Sequence, residues 1–361
     1  MRVAVEAQQL RHDHRGIGRY VRRLLPAMLE EAPTLQITLG VRADDIAAIE
    51  TECAALEAAG RLRVVSLDAW RRMDCEVAWY PWNFVRVRPA SGAIVPTLHD
   101  LAPMRGDIDG RWWKVLKRWQ ARRAYRHAAS VASVVITGAQ EAADELVARL
   151  GIARTRLEVV PHAADEFATI ANPVAADALL TTLGVDGPFA LALGSRERRK
   201  NLGVVWDACD ALANAGETMP LVLAGRARVP LPDRPWLRRA GFVSDPVLAA
   251  LYARATAVIV PSRYEGFGLP VLEAMTAGGA VVCARASTLP EVAGDGALLF
   301  DPDDATQLVT QLRRLRDDSA FEATLRAAAR RRAASYSWRQ SAQGTLHAFA
   351  RAAAQGRPQT R

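Results

Sequence analysis

Residues 256–279 read Thr256-Ala-Val-Ile-Val-Pro-Ser-Arg-Tyr-Glu-Gly-Phe-Gly-Leu-Pro-Val-Leu-Glu-Ala-Met-Thr-Ala-Gly-Gly279. Ala257 to Val260 is a short apolar run rich in β-branched residues, which predicts a buried strand. Pro261 and Ser262 stop it. A helix is predicted from Leu269, with Pro270 in the first turn, where a missing N–H costs nothing. Gly278 and Gly279 end that helix. The unit is strand, glycine-bearing loop, helix. Gly266 and Gly268 allow the backbone to approach a ligand, and the helix start, with its unpaired N–H groups and dipole, is suited to an anion.

Two carboxylates bracket this loop, Glu265 and, eight positions on, Glu273. Carboxylates repel phosphate, and when ionised they only accept hydrogen bonds. Their natural partners are hydroxyls of a sugar or a ribose. An anion site flanked by two hydroxyl-binding carboxylates suits a nucleotide sugar. The plainer alternative is a capped helix with surface acids.

The run Glu265-Gly-Phe-Gly-Leu-Pro-Val-Leu-Glu273-Ala-Met resembles the paired-glutamate signature of retaining glycosyltransferases of family 4 (group 1), which have the GT-B fold. The flanks agree, from Gly241-Phe-Val-Ser-Asp upstream to Ser287-Thr-Leu-Pro-Glu-Val-Ala-Gly-Asp and Leu299-Phe-Asp-Pro-Asp-Asp downstream. The resemblance implies an α/β chain with two Rossmann-like domains whose parallel sheets face a cleft, and a C-terminal helix crossing back to the first domain.

Composition is compatible with this. The 361 residues suffice for two domains. Half are hydrophobic and a quarter charged, an ordinary soluble balance. Cys53, Cys75, Cys209 and Cys283 are isolated, which argues against a zinc site or a disulfide framework and fits a reducing cytosol. No apolar run approaches the roughly 18 residues of a membrane span, and Met1-Arg-Val-Ala-Val-Glu reads as a strand rather than a signal peptide. A net charge of +8 favours anionic surfaces.

Taken in order, strands are predicted at Val3–Val5, Leu35–Val41, Leu62–Leu67, Val77–Tyr80, Gly92–Leu98, Ser130–Ile136 and Leu157–Val160, with helices over 17–31, 43–59 and 139–150 between them. Such alternation implies a parallel sheet covered on both faces, with ligands outside the carboxyl ends of its strands. Gly16-Ile-Gly-Arg-Tyr resembles the family's first loop and helix, which puts Gly16 among the donor-side residues. His99 stands just past a strand end, and Thr97-Leu-His-Asp-Leu-Ala-Pro resembles the surroundings of the family's cleft histidine. The resemblance implies a hydrogen bond from His99 to the transferred sugar or the acceptor; a structural histidine is the alternative.

Residues 111–127 carry seven Arg or Lys and no acid. Trp112, Val115, Leu116 and Trp119 recur at helical spacing. Three uses are open: an apolar stripe packed on the sheet, an anionic membrane surface, or nucleic acid. Pro161-His-Ala-Ala-Asp departs from a family turn that commonly reads P-N-G-V-D, so His162, Ala163 and Ala164 leave the local backbone open. The first domain is expected over 1–170, acceptor-side, and the second over 185–335, nucleotide-sugar-binding. Residues 336–361 are expected to form the crossover helix and a frayed tail.

In the second half, strands are predicted at Phe189–Leu193, Leu221–Ala224, Gly241–Val243, Ala280–Ala284 and Leu298–Phe300, and helix over 320–354. Arg196, Arg198, Arg199 and Lys200 crowd one loop against Glu197 alone, and their self-repulsion calls for an anion. The loop resembles the family's G-T-x-E-P-R-K-N. That resemblance implies that Arg199 and Lys200 clamp a diphosphate, the Gly266, Phe267, Gly268 and Leu269 backbone assists, Glu273 takes ribose hydroxyls and Glu265 sits near the sugar. Two D-x-D strings, Asp107-Ile-Asp109 and Asp301-Pro-Asp303, raise the question of a metal. Helix capping explains the second, and the family's handling of diphosphate by cations and helix ends implies no metal.

The reading is therefore a metal-independent, retaining hexosyltransferase of cell-surface polysaccharide synthesis, with His99, Glu265 and Lys200 as catalytic candidates and no cofactor beyond the sugar donor. His99-Asp-Leu-Ala-Pro with Gly16-Ile-Gly-Arg-Tyr looks most like bacterial mannosyltransferases of O-antigen or capsule assembly. The resemblance thus implies GDP-mannose as donor ahead of UDP-sugars and a polyprenyl-diphosphate-linked glycan as acceptor. The expected location is the cytoplasm, with peripheral contact on the inner membrane's cytoplasmic face. Nucleic acid is not an expected partner. The alternative is a non-catalytic nucleotide-sugar-binding partner of a glycan assembly complex.

Overall fold

The computed structural model describes residues 1–13, 16–58, 60–105, 115–195, 197–217, 219–225, 231 and 233–356. Their contacts divide the chain into two units. One holds the described residues of 1–105, 115–162 and 338–356; the other holds those of 163–337.

In the first unit, β1 (Arg2–Glu6), β2 (Gln36–Val41), β3 (Leu62–Ser66), β4 (Val77–Tyr80) and β5 (Ala93–Pro96) form a parallel sheet in the order β3-β2-β1-β4-β5. β6 (Val135–Thr137) and β7 (Leu157–Val159) pair in parallel, and a bridge from Thr97 to Ile136 joins them to the end of β5. The β-branched interior of these strands is buried, as it must be when helices cover both faces. The helix Ile17–Glu31 begins where the sequence places it. Gly16, just before it, has φ +58°, a value that L side chains rarely adopt.

The helix Trp338–Gln355 belongs to this first unit although it ends the described chain. Its Phe349 meets Trp79 at 5.8 Å, Trp338 meets Tyr20 at 6.1 Å, and Ser341 donates to the Pro161 carbonyl at 2.5 Å. The apolar face expected of a crossover helix is thus packed on the first unit.

In the second unit, β8 (Ala190–Leu193), β9 (Leu221–Ala224), β10 (Leu237–Gly241), β11 (Ala257–Val260), β12 (Val281–Ala284) and β13 (Ala297–Phe300) form one parallel sheet, ordered β10-β9-β8-β11-β12-β13. The chain runs outward from β8 to β10, returns to the middle at β11, and runs outward the other way. The topological switch point lies between β8 and β11, and in open parallel sheets ligands bind at the carboxyl ends beside such a point.

Three expectations need correction. Residues 130 and 131 lie in the helix Val115–Val131, so the strand predicted from Ser130 starts only at Val135; burial of Ala128, Ala129 and Val131 keeps the helix going. Gly241 ends β10 rather than beginning a strand, with Phe242 and Val243 beyond it. The continuous helix expected over 43–59 opens as a 3-10 turn, Ala43–Asp45, before Ile46–Glu57.

Candidate functional site

The loops after β8 and after β11 meet at the switch point of the second unit. After β8 the chain enters a 3-10 turn, Arg198–Lys200, closed by Asn201 at φ +50°, whose side-chain amide donates to the Pro302 carbonyl at 2.7 Å. The Arg263 amide donates to the Arg199 carbonyl at 2.8 Å and so ties one loop to the other. Arg196 of the cation run lies outside the described residues.

Glu265 is the centre of the arrangement. It is 7% exposed. Lys200 Nζ donates to its Oε1 at 2.6 Å and Arg199 Nη1 to its Oε2 at 2.9 Å. Arg199 Nη1 also reaches the Tyr264 carbonyl at 2.9 Å, and its Nε pairs with Glu197. Burial by itself would raise the Glu265 pKa. Lys200 and Arg199, with hydrogen bonds from Lys200 and Ser262, outweigh it and hold the carboxyl at about 2. Glu265 is therefore ionised at any ordinary pH. Arg199 and Lys200 are thus met by two carboxylates, Glu265 between them and Glu197 on the far side of Arg199. A lysine ammonium has three donors, and Glu265 takes one of those of Lys200.

The loop carrying Glu265 is pinned from behind. Ser287 Oγ donates to the Glu265 carbonyl at 2.8 Å and Thr288 Oγ1 to the Phe267 carbonyl at 2.7 Å. Gly268 takes φ +109° and precedes the helix Leu269–Thr276, with Pro270 in its first turn and no side-chain cap. Conformation requires glycine here, since that φ is one L side chains rarely adopt; a Cβ would also sit 3.0 Å from Leu289 Cδ2, which would have to shift by a few tenths of an ångström. Gly266 has no positive φ, so of the two loop glycines conformation demands only Gly268. The uncapped helix start directs its first N–H groups and its positive dipole end outward.

Glu273 lies in that helix, 3% exposed, with the Tyr252 hydroxyl donating to its Oε2 at 3.3 Å. The structure therefore brings together Arg199, Lys200, Glu265 and the backbone from Gly266 to Leu269, with Glu273 on the helix that follows. The run Asp301 to Asp304 precedes a helix as expected, and its last member, Asp304, caps Ala305–Asp317 through the amides of Thr306 and Gln307. Asp107 and Asp109 lie outside the described residues, among which no cluster of metal-ligating side chains occurs.

His99 and Gly16 belong to the first unit. His99 follows β5 and is buried. Its Nε2 meets the Pro81 carbonyl at 2.8 Å and its Nδ1 meets His162 Nε2 at 3.1 Å. A carbonyl only accepts, so Nε2 carries the proton, Nδ1 offers a lone pair, and His162 Nε2–H donates to it. Burial drives the His99 pKa down to about 4, and burial, with the neighbouring His99, holds that of His162 well below its ordinary value. Both rings are neutral. Sequence reasoning saw His162 only as a departure from a turn motif; a second histidine able to reach the first was the missed signal. It also passed over Tyr20, whose ring lies 5.2 Å from His99 and 4.5 Å from His162. A third omission is Glu6, buried at the carboxyl end of β1 with the Gln8 amide on its Oε1 at 2.6 Å.

Residues 181–332 match the family model of the group 1 glycosyl transferases. The chain is 38% identical over 174 residues to O-antigen chain mannosyltransferase B of Escherichia coli, covering 45% of each protein. It is 31% identical over 274 residues to the serotype-specific mannosyltransferase WbdA of Escherichia coli, over 70% of this chain and 33% of that protein. The chain thus spans less than half the length of either relative. Among solved structures, Anabaena Alr3699/HepE in complex with UDP and glucose superposes with a TM-score of 0.72 at 18% identity, over 97% of this chain and 99% of that one. The fold is GT-B, and the second unit carries a group 1 glycosyl transferase domain.

Proposed function

We propose that this chain, whose second unit belongs to the group 1 glycosyl transferases, moves a hexose, mannose first, from a nucleotide-diphosphate sugar to a glycan acceptor with retention of configuration. The observation that carries the proposal is the convergence of Arg199, Lys200 and an uncapped helix start around buried Glu265 at the switch point of the second unit. Charge develops on the departing diphosphate as the glycosidic bond breaks. Cations and backbone N–H groups already fixed in place stabilise that charge without reorganising. Glu265 holds Arg199 and Lys200 in position before the donor arrives, and the donor's phosphates take the remaining N–H groups of Lys200. Arg199 contributes a planar fork and Lys200 a point charge.

Glu273 receives the ribose hydroxyls, Glu265 lies nearest the transferred sugar, and the amides from Gly266 to Leu269 meet phosphate and sugar oxygens. His99 presents a neutral imidazole on the acceptor-side unit, with Gly16 at the loop before the first helix. No metal takes part, since the cations cover the charge a metal would. GDP-mannose is the first choice of donor because the curated relatives named above are mannosyltransferases. The acceptor is a polyprenyl-diphosphate-linked glycan at the cytoplasmic face of the inner membrane; no helix among the described residues is long and apolar enough to cross that membrane.

The test is thermal stability against a panel of nucleotide sugars, with and without EDTA, followed by a transfer assay with the stabilising donor. A ligand at a hundred times its Kd adds about 2.7 kcal/mol. Stabilisation by GDP-mannose, unchanged by EDTA, and turnover to free GDP are expected. Stabilisation without transfer or donor hydrolysis would make the protein a nucleotide-sugar-binding partner; no stabilisation by any donor would overturn the proposal.

A further inference from the structure

The apolar stripe of the basic helix faces outward where it is described, at Val115, Leu116 and Trp119, and Trp112 lies outside the described residues. That surface belongs to the membrane contact already expected of the chain. A cavity of about 380 Å³ lies elsewhere on the first unit, at the amino ends of β1, β2 and β3. It is at the opposite end of the strands from the site of His99, and it holds none of the residues placed above in donor, acceptor or membrane contact.

The cavity has a topological origin. Neighbouring parallel strands need a crossover, usually a long helix, and Ile17–Glu31 supplies one between β1 and β2. Between β3 and β4 the chain has only the five-residue helix Leu67–Arg71. Its Trp70 packs on Gly40, where a Cβ would come within 2.5 Å of the indole. Five helical residues span about 7 Å against about 20 Å for a six-residue strand, so the helix covers only the carboxyl half of that sheet face. Side chains two apart on a strand share a face, which puts Gln36 and Thr38 on the face of Gly40. The register sets Arg2 beside Gln36 and Arg63 beside Thr38. In this uncovered half Arg2, Gln36 and Arg63 are exposed.

The polar groups gathered there are unspent. Thr38 is 6% exposed and accepts a hydrogen bond from Arg63 Nε at 2.9 Å. That bond anchors the guanidinium and leaves Nη1 and Nη2, a fork suited to two phosphate oxygens, without a protein partner among the described residues. The side chains of Arg2, Gln36 and Asp74 also make no hydrogen bond or ion pair among the described residues. Arg61 is committed to the Leu29 carbonyl at 2.6 Å, and Glu76 accepts from the Arg2 amide at 2.7 Å. Three arginines against Asp74 and Glu76 make the cavity positive, which favours an anion. Sheet order β3-β2-β1-β4 separates the charges: Arg63 stands on the β3 side and Asp74 on the β4 side. A bare phosphate would be repelled by Asp74. A phosphate carrying hydroxyls uses both ends, because a carboxylate accepts from hydroxyls and the Gln36 amide both donates and accepts. The volume is in the range of small-molecule sites.

We propose that this cavity binds a small sugar phosphate, with its phosphate on Arg63 and Arg2 and its hydroxyls on Gln36 and Asp74. This does not rest on the sugar-transfer reading, because every lining residue belongs to the first unit and binding needs no turnover.

The experiment is calorimetric titration of the full chain with mannose 6-phosphate, glucose 6-phosphate, inorganic phosphate and mannose. The hexose phosphates should bind at least about tenfold more tightly than inorganic phosphate, and mannose should not bind. Arg63→Ala should weaken the hexose phosphates by about tenfold or more, and Arg63→Lys, which keeps the charge without the fork, should fall between. Asp74→Ala should weaken the hexose phosphates and strengthen inorganic phosphate, a split that a merely structural role would not produce. Lys200→Ala, in the second unit, should bind them as the parent does. These cavity side chains are exposed, so thermal midpoints should stay near that of the parent. No binding of either hexose phosphate, inorganic phosphate binding as tightly as they do, or full binding by both Arg63→Ala and Asp74→Ala would overturn the proposal. Loss of binding in Lys200→Ala with retention in Arg63→Ala would overturn it by placing the ligand in the second unit.

Discussion

Glu265→Gln should destabilise the protein in a way that depends on pH with a defined sign. The carboxyl has a pKa of about 2 in the folded chain against an ordinary 4.5. At 1.36 kcal/mol per pH unit, the ionised group contributes about 3 kcal/mol at neutral pH. The figure is net of the burial penalty, since burial and the two cations act on the same pKa. A carboxyl with a depressed folded pKa contributes above its unfolded pKa and loses that contribution as pH falls through the folded value. The deficit of Glu265→Gln should therefore be full above pH 4.5, shrink to less than half at pH 3 and vanish below pH 2. For a domain of this size each kcal/mol moves the midpoint by about 2–4 °C, so the expected loss at pH 7 is about 6–12 °C. Thermal unfolding of both proteins from pH 7 to pH 3, followed by circular dichroism, reads the difference. An equal gap at pH 7 and pH 3, or no gap at pH 7, would refute the reasoning: Lys200 and Arg199 would then not be stabilising a buried charge.

Three further outcomes are expected. Lys200→Ala removes a donor from the departing diphosphate and should lower kcat/KM by about 10²; near-normal steady-state kinetics would remove Lys200 from the site. Glu273→Gln should weaken nucleoside diphosphate about tenfold, on the scale of one hydrogen bond to a charged group, and unchanged affinity by calorimetry would contradict the ribose role. His99 should titrate near pH 4 by nitrogen NMR with its proton on Nε2, because burial holds its pKa down. A histidine depressed on folding makes stability fall as pH drops from about 6.5 to 4, so His99→Gln should flatten that limb, and a midpoint above pH 6 would show that the ring is not buried neutral.

Much of the fold was legible because periodicity and punctuation are local. β11 and the start of the helix at Leu269 fall where Ala257–Val260 and Pro270 place them. The helix Ile17–Glu31 likewise follows from its glycines and its apolar spacing. Errors fell where tertiary burial overrides local preference. Ser130 and Val131 stay helical because Ala128, Ala129 and Val131 close over the core, and Gly241 closes β10 where it pairs with Ala224, the last residue of β9.

The sequence by itself determined the residue types of the candidate site and their loops: cations after β8, a carboxylate and glycines after β11, a histidine after β5. Those follow from chain order, which is one-dimensional information. Only the tertiary structure decided which of these groups touch. Arg199 and Lys200 lie more than sixty positions from Glu265, and sheet order brings them to hydrogen-bond distance. His162, 63 positions from His99, reaches its ring in the same way. Burial was decided there too. The same helical spacing serves an inward or an outward apolar stripe, and packing of the first unit turned Val115, Leu116 and Trp119 outward. A hydrophobic pattern states that a face seeks apolar surroundings; which surroundings it finds depends on everything else the chain has folded against.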